Sequence, residues 1–181
     1  MRLLADPARV EQLIDDLADA IRRDVAGRRD RADWALVGIR SRGDLLAKRL
    51  ADKLQPDHLG VLDITLYRDD LSEIGSQPVV RTTEIPFAID GLDIVLVDDV
   101  LMTGRSVRAA LQSLMDFGRP RRVWLSVLVD RGGRELPIAP DHVALDLSKS
   151  DIKPAPTDRV DVHIQPMDER DEIVLIGSRS S

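Results

Sequence analysis

Between Asp93 and Val107 the chain reads DIVLVDDVLMTGRSV. Four apolar residues, Ile94 to Val97, run into the adjacent carboxylates Asp98 and Asp99. After Val100, Leu101 and Met102 comes Thr103-Gly104-Arg105-Ser106, and then an amphipathic stretch from Ser106 to Phe117 with Val107, Leu111 and Leu114 on one side and Gly118 at its end. An apolar run without polar alternation reads as a strand buried on both faces, and helical spacing directly after it reads as a crossover helix. Such a unit belongs to a layered α/β fold.

The surrounding chain repeats the grammar. Asp6 and Pro7 suit a helix start, and Val10, Leu13, Ile14, Leu17, Ile21 and Val25 mark one buried face. Trp34 to Ile39 reads as a strand ending in Arg40-Ser41-Arg42-Gly43, followed by a helix from about Asp44 to Leu54 that Gln55 and Pro56 close. Val61 to Leu66 alternates as a half-exposed strand does, Arg68 to Pro78 has the composition of a mobile loop, and Val79 to Ile85 is its expected return strand. Val123 to Val129 is a further strand. Beyond Gly132 prolines at 137, 140, 154, 156 and 166 interrupt the pattern, with short strands expected near Val160 to Ile164 and Glu172 to Ile176. The expectation is an α/β fold, an open, mainly parallel sheet flanked by helices, in a single domain over residues 1–181.

Composition removes several classes of function. With no cysteine there can be neither disulfides nor thiolate metal sites. The three histidines, His58, His142 and His163, lack ligand spacing. No stretch approaches the roughly 20 apolar residues of a membrane span, and Met1 is not followed by a secretory leader, so the expected compartment is the cytoplasm. The net charge of −6 is the wrong sign for a protein that grips nucleic acid over its whole surface.

Ligands of open α/β sheets bind beyond the carboxyl ends of the strands. There Thr103, Gly104, Arg105 and Ser106 open a helix, whose free amides and positive dipole end favour an anion such as phosphate. Asp98 and Asp99 repel that anion and suit hydroxyl donors, a divalent cation or a cationic transition state. Arg40 and Arg42 on the neighbouring loop suit a second anionic group. A phosphorylated ribose activated at its anomeric carbon meets all three demands.

IVLVDDVLMTGRS resembles the phosphoribosyl pyrophosphate (PRPP) motif of type I phosphoribosyltransferases. With LVGIRSRGDLLAKRL, LDITLYRDDLS and VLVDRGGRELPI, in register from Trp34 to Ile138, the chain resembles the PyrR family of pyrimidine operon attenuators that also act as uracil phosphoribosyltransferases. The resemblance implies a type I phosphoribosyltransferase fold with a mobile loop and a small hood. It implies a reaction in which PRPP and uracil give UMP and pyrophosphate, with Mg²⁺ carried as Mg-PRPP on substrate oxygens and no direct protein ligand. Asp98 and Asp99 would hold the ribose hydroxyls and, with Arg42, form the catalytic set. The phosphate loop would be Val100, Leu101, Met102, Thr103, Gly104, Arg105 and Ser106; Ser41 and Arg42 would meet pyrophosphate. Tyr67, Arg68 and Asp69 would begin the closing loop, and Arg131 would lie near the base. The family's oligomers imply a homo-oligomer.

The RNA-binding surface of such attenuators is not reproduced. Asp15, Asp16 and Asp19 lie on the first helix where polar or basic residues are expected, and Gly133 and Ala139 replace basic positions, although Arg134 is kept. Carboxylates facing phosphates oppose the counterion release that drives RNA binding. The other functions to weigh are a UMP- or PRPP-responsive regulator of pyrimidine-operon mRNA and a phosphoribosyltransferase for another base.

Overall fold

The computed structural model describes residues 1–26, 33–67 and 82–177. In chain order the elements are β1 (Arg2–Ala5), α1 (Pro7–Ala26), β2 (Trp34–Ile39), α2 (Gly43–Leu54), β3 (His58–Leu62), a short 3₁₀ helix (Thr65–Tyr67), β4 (Asp93–Leu101), α3 (Arg105–Met115), β5 (Arg122–Asp130), β6 (His142–Asp146), β7 (Arg159–His163) and β8 (Glu172–Ile176). Five of the strands form one sheet in the order β3-β2-β4-β5-β6, and each neighbouring pair is parallel. All five therefore point their carboxyl ends at one edge.

Alternate residues of the central strands feed two separate apolar layers. Leu36, Val95 and Val97 face a core shared with α1 and α2, where Leu13, Ile14, Leu17, Leu46 and Leu50 are fully buried. Ala35, Val37, Ile94 and Leu96 face the other side, against Val107, Ala110 and Leu114 of α3. Burial on both faces explains why β4 shows no polar alternation. A second, antiparallel sheet, β1-β8-β7, packs Val160, Val162 and Ile173 onto the α1 side and forms the hood. Arg49 of α2 pairs with Glu11 of α1 and with Asp171 before β8, tying helix, helix and hood together.

Several expectations need correction. The strand expected over Val61 to Leu66 is displaced to His58–Leu62. Asp63 explains the early stop, because its carboxylate accepts hydrogen bonds from the Thr65 amide at 2.9 Å and the Thr65 hydroxyl at 2.6 Å, which turns the chain into the 3₁₀ helix. Of the return strand, the described part keeps one antiparallel bridge, Val61 to Glu84. Arg68 to Pro78, including Arg68 and Asp69, lies outside the described residues. The central strand runs to Leu101, so Asp98, Asp99, Val100 and Leu101 belong to β4 and not to a loop, and the turn shrinks to Met102–Gly104. β1 and β6 were unforeseen.

Close backbone approach holds the loop after β2. A β-carbon at Gly38 would fall 2.4 Å from the Gly43 carbonyl oxygen and 2.5 Å from Asp44 Cα, and one at Gly43 would fall 2.7 Å from the Val97 carbonyl oxygen. The loop is thus pressed onto β2 and onto the end of β4 at once. Gly38→Ala should cost roughly 1–3 kcal/mol through overpacking against backbone that cannot yield. At about 2–4 °C per kcal/mol for a chain of this size, thermal unfolding would register the loss. An unchanged melting temperature would show that the approach is looser than described.

Candidate active site

Three loops meet at the carboxyl edge of the five-stranded sheet: 40–42 after β2, 102–104 after β4 and 131–138 after β5. The first turns sharply. The Gly43 amide donates to the Ser41 carbonyl at 2.9 Å, a γ-turn centred on Arg42 at φ 69° and ψ −41°. A non-glycine residue in that conformation carries strain, which concentrates at functional sites. Ser41 lies exposed on the turn. The Arg42 guanidinium is gripped by Asp168, with Nε to Oδ2 at 3.1 Å and Nη2 to Oδ1 at 3.0 Å. The interaction with Asp168 raises Arg42 above its already high ordinary value and lowers Asp168 below the usual carboxylate range. Arg40 Nη2 is held by Glu84 at 2.8 Å, whereas Arg42 is held by Asp168.

Asp98 and Asp99 occupy the end of β4. Asp98 is buried and Asp99 half-buried. Oδ1 of Asp98 accepts from the Asp99 amide at 3.0 Å, and Oδ1 of Asp99 accepts from the Val100 amide at 2.9 Å. Burial pushes both carboxyls up, and for Asp98 the neighbouring Asp99 charge pushes further. For Asp99 the backbone amide of Val100 and the Arg42 cation act in the opposite direction. Burial thus makes the ionised pair costly until a donor-rich or cationic ligand arrives.

The turn after β4 is held from outside. Arg131 N donates to Leu101 O at 2.9 Å, Arg134 Nη1 to Met102 O at 2.9 Å, and the Glu135 and Leu136 amides to Thr103 O at 3.0 and 3.1 Å. Three consecutive carbonyls of the loop are thus occupied by the segment after β5. Gly104, at φ 90°, starts α3 and lies against Ile138 and Leu136. The first-turn amides of α3 have no acceptor within the helix, and Thr103 and Ser106 place hydroxyls in the chain beside them. Thr103 Oγ1 also accepts from the Arg105 amide at 3.3 Å. The side chain of Arg105 points away from this cradle to Glu135, at 2.7 Å.

Beside the cradle lies a cavity of about 400 Å³ bordered by Met102, Arg131, Gly132, Gly133, Leu147 and Lys153. Arg131 frames it: Nε and Nη2 are held by the carbonyls of Ala155, Pro156 and Asp158 at 2.6 to 3.2 Å. Those bonds fix the guanidinium at the wall and do not use Nη1, which lies on the Gly133 side. Gly133 stands at φ 83°, and a β-carbon there would lie 2.9 Å from Arg131 Nη1. Tyr67 is drawn to α3: its hydroxyl donates to Asp116 beyond the helix end, while its carbonyl accepts from Arg108 at 3.0 Å. The structure therefore gathers Arg42, Asp98, Asp99 and Met102–Ser106 and puts Arg131 at the cavity wall, while the Tyr67 hydroxyl is engaged at the far end of α3.

Two participants escaped the sequence reading. Asp168 lies in a proline-interrupted stretch without periodicity, and nothing local marks it as a partner of Arg42. Arg134, marked in the sequence only as a retained basic residue, reaches Asp130 Oδ2 with Nη2 at 2.6 Å and also holds the carbonyls of Met102 and Ile138. His142, which lacks ligand spacing in the sequence, is buried between Ser126 and Asp24, at 2.8 Å from each.

A family model described as a phosphoribosyl transferase domain matches residues 3–159. The chain is 53% identical over 148 residues to a curated protein of Thermus thermophilus named "Bifunctional protein PyrR", covering 78% of each chain. A protein of the same name from Pelotomaculum thermopropionicum is 49% identical over 146 residues, again with 78% of each covered. Among solved structures, the hypoxanthine phosphoribosyltransferase of Trypanosoma cruzi superposes with a TM-score of 0.66 at 17% identity, over 97% of this chain and 96% of that one. At that identity the likeness speaks for the fold.

Because Asp98 and Asp99 titrate higher folded than unfolded, their contribution to stability is complete below the ordinary carboxylate range and is lost as pH rises through their folded values. Asp98→Asn, which keeps the shape without the charge, should raise the melting temperature at neutral pH and flatten its fall between acid and neutral pH. Melting curves across that range decide this, and a less stable variant would mean that the carboxylate is stabilising. Arg134→Gln should lose about 1–3 kcal/mol, since buried partners are left unmade.

Proposed function

The chain belongs to the PyrR family of type I phosphoribosyltransferases, and from that premise we propose that it transfers the phosphoribosyl group of PRPP to uracil, giving UMP and pyrophosphate. One observation carries the reading. Near the end of the central strand stand the carboxyls of buried Asp98 and half-buried Asp99, and α3, whose start suits phosphate, opens six residues after Asp99, at Arg105. That spacing suits a ligand with a phosphate at one end and vicinal hydroxyls in the middle.

In this reading Thr103, Gly104, Arg105 and Ser106 receive the 5′-phosphate through backbone amides and hydroxyls, with Val100, Leu101 and Met102 setting the approach. Asp98 and Asp99 accept from the ribose hydroxyls and, ionised, stabilise positive charge developing at the anomeric carbon. Ser41 and Arg42 receive the pyrophosphate, whose bond to that carbon breaks as the bond to the base nitrogen forms. The base enters the cavity between Met102 and the wall framed by Arg131.

Magnesium fits as a companion of the substrate. It is carried on the oxygens of PRPP, with Asp98 and Asp99 left to the ribose hydroxyls. Bound to substrate phosphates, such an ion neutralises charge on the leaving pyrophosphate. Cytoplasmic action as a homo-oligomer completes the proposal. Among the described residues no helix is long and apolar enough to cross a membrane.

The relatives' name announces a second activity, and the charge on α1 weighs against binding of RNA by this chain. Asp15 pairs with Lys53 at 2.7 Å and Asp19 with Arg22, so basic groups near this face are already engaged with acids. Arg134 is directed inward to Met102, Ile138 and Asp130.

The transfer assay tests the main reading. Labelled uracil with PRPP and Mg²⁺ should give UMP, and the doubly substituted Asp98→Asn, Asp99→Asn protein should lose at least about 10³-fold in kcat/KM, an effect of roughly 4 kcal/mol. A panel of other bases should be poorer substrates. Failure with every base would end the enzyme reading; success with another base would move the specificity. A salt titration against the leader RNA of a pyrimidine operon should show weak binding. Tight, sequence-selective binding with a steep salt slope would contradict the charge argument.

A further inference from the structure

We propose that Asp168 is the positioning residue for pyrophosphate, acting through Arg42; the inference rests on the phosphoribosyl transfer reading given above. Arg42 sits at the centre of a strained γ-turn, at φ 69°, and a long cation on such a turn has no reason of its own to keep one rotamer. Asp168 supplies the reason. Its carboxylate takes Nε and Nη2 of Arg42 at 3.1 and 3.0 Å, a two-point grip that fixes both the position and the plane of the guanidinium. With 31% and 18% of their side chains exposed, the two residues are shielded enough for the geometry to persist yet remain open to a ligand.

Asp168 is itself held. Oδ2 accepts from the Ile164 amide at 2.8 Å, and the Asp168 amide donates back to Ile164 O at 3.1 Å. Ile164 is fully buried in the core beneath the hood. The chain from core to hood turn to Asp168 to Arg42 is therefore continuous. The grip uses the Nε edge of the guanidinium and leaves Nη1, with two of the five N–H donors, free of Asp168. Asp99 and Asp161 also act on Arg42 through their charges, so its surroundings are acidic, and the pyrophosphate anion is received by an oriented cation and its accompanying Mg²⁺ and not by a broad basic field.

Calorimetric titration of the full-length protein with pyrophosphate, and separately with UMP, both in Mg²⁺, tests this. UMP fills the ribose-phosphate site but carries no pyrophosphate. Asp168→Asn, close in shape and unable to hold the cation, should weaken pyrophosphate about tenfold, raise KM for PRPP more than it lowers kcat, and leave UMP affinity unchanged. Asp168→Glu should restore part of the loss. In an Arg42→Gln background Asp168→Asn should have no further effect. Unchanged or tighter pyrophosphate binding would overturn the proposal, tighter binding showing that Asp168 competes with the ligand. An equal loss for UMP would reduce Asp168 to a general structural role. A wild-type protein that binds both ligands without forming UMP would defeat the transfer reading alone, while one that fails to bind pyrophosphate would defeat both.

Discussion

Keeping two adjacent carboxyl groups out of water at the end of a central strand is the demand around which the rest of this molecule is arranged. Burial pushes Asp98 and Asp99 up, the Asp99 charge pushes Asp98 further, and the Asp99 and Val100 amides and the Arg42 cation work against that push. A protein selected for stability alone would place apolar side chains there. Retaining the pair makes sense when a ligand completes it, and hydroxyl donors or positive charge are what it lacks. The strain of the γ-turn at Arg42 has the same character, since both features cost stability without a ligand and both face the same edge of the sheet.

The loops around the pair are fixed from several directions. Gly38 and Gly43 let the turn after β2 press against β2 and β4. The segment after β5 occupies the carbonyls of Leu101, Met102 and Thr103, so the loop cannot rotate to present oxygen to an anion. Oriented amides are useful to a phosphate only when their carbonyls are committed elsewhere, and here the commitment is visible bond by bond. The hood contributes Asp168, which reaches the turn after β2 from a different sheet. On the proposed reading, phosphate, sugar and leaving group would each be served by a different set of constraints.

How much of this was legible in the sequence depends on whether the signal was local. The parallel α/β fold was, because the apolar run of β4 and the helical spacing of α3 are contiguous. So was the composition of the phosphate turn, since Thr103 to Ser106 stand together in the chain. Strand ends were less legible: β4 continues through polar Asp98 and Asp99 because β5 pairs with it as far as Leu101, and β3 stops early because Asp63 bonds to its own neighbours. The grip of Asp168 on Arg42 spans 126 residues and leaves no trace in spacing. Arg131 lies at the cavity wall, and its hold on the carbonyls of Ala155, Pro156 and Asp158 through Nε and Nη2 likewise left no trace in the local sequence.

The central claim is that the carboxyl pair and the helix start bind opposite ends of one ribose phosphate. It is tested most directly by comparing UMP with its 2′,3′-dideoxy analogue, by calorimetry, on the wild type and on the protein carrying Asp98→Asn and Asp99→Asn. If the carboxyl groups hold the hydroxyls, removing both hydroxyls should weaken binding to the wild type by about tenfold or more, at roughly 1.4 kcal/mol per factor of ten, and should weaken binding to the variant far less. Equal affinity of the wild type for both nucleotides, or an equal loss in both proteins, would contradict it.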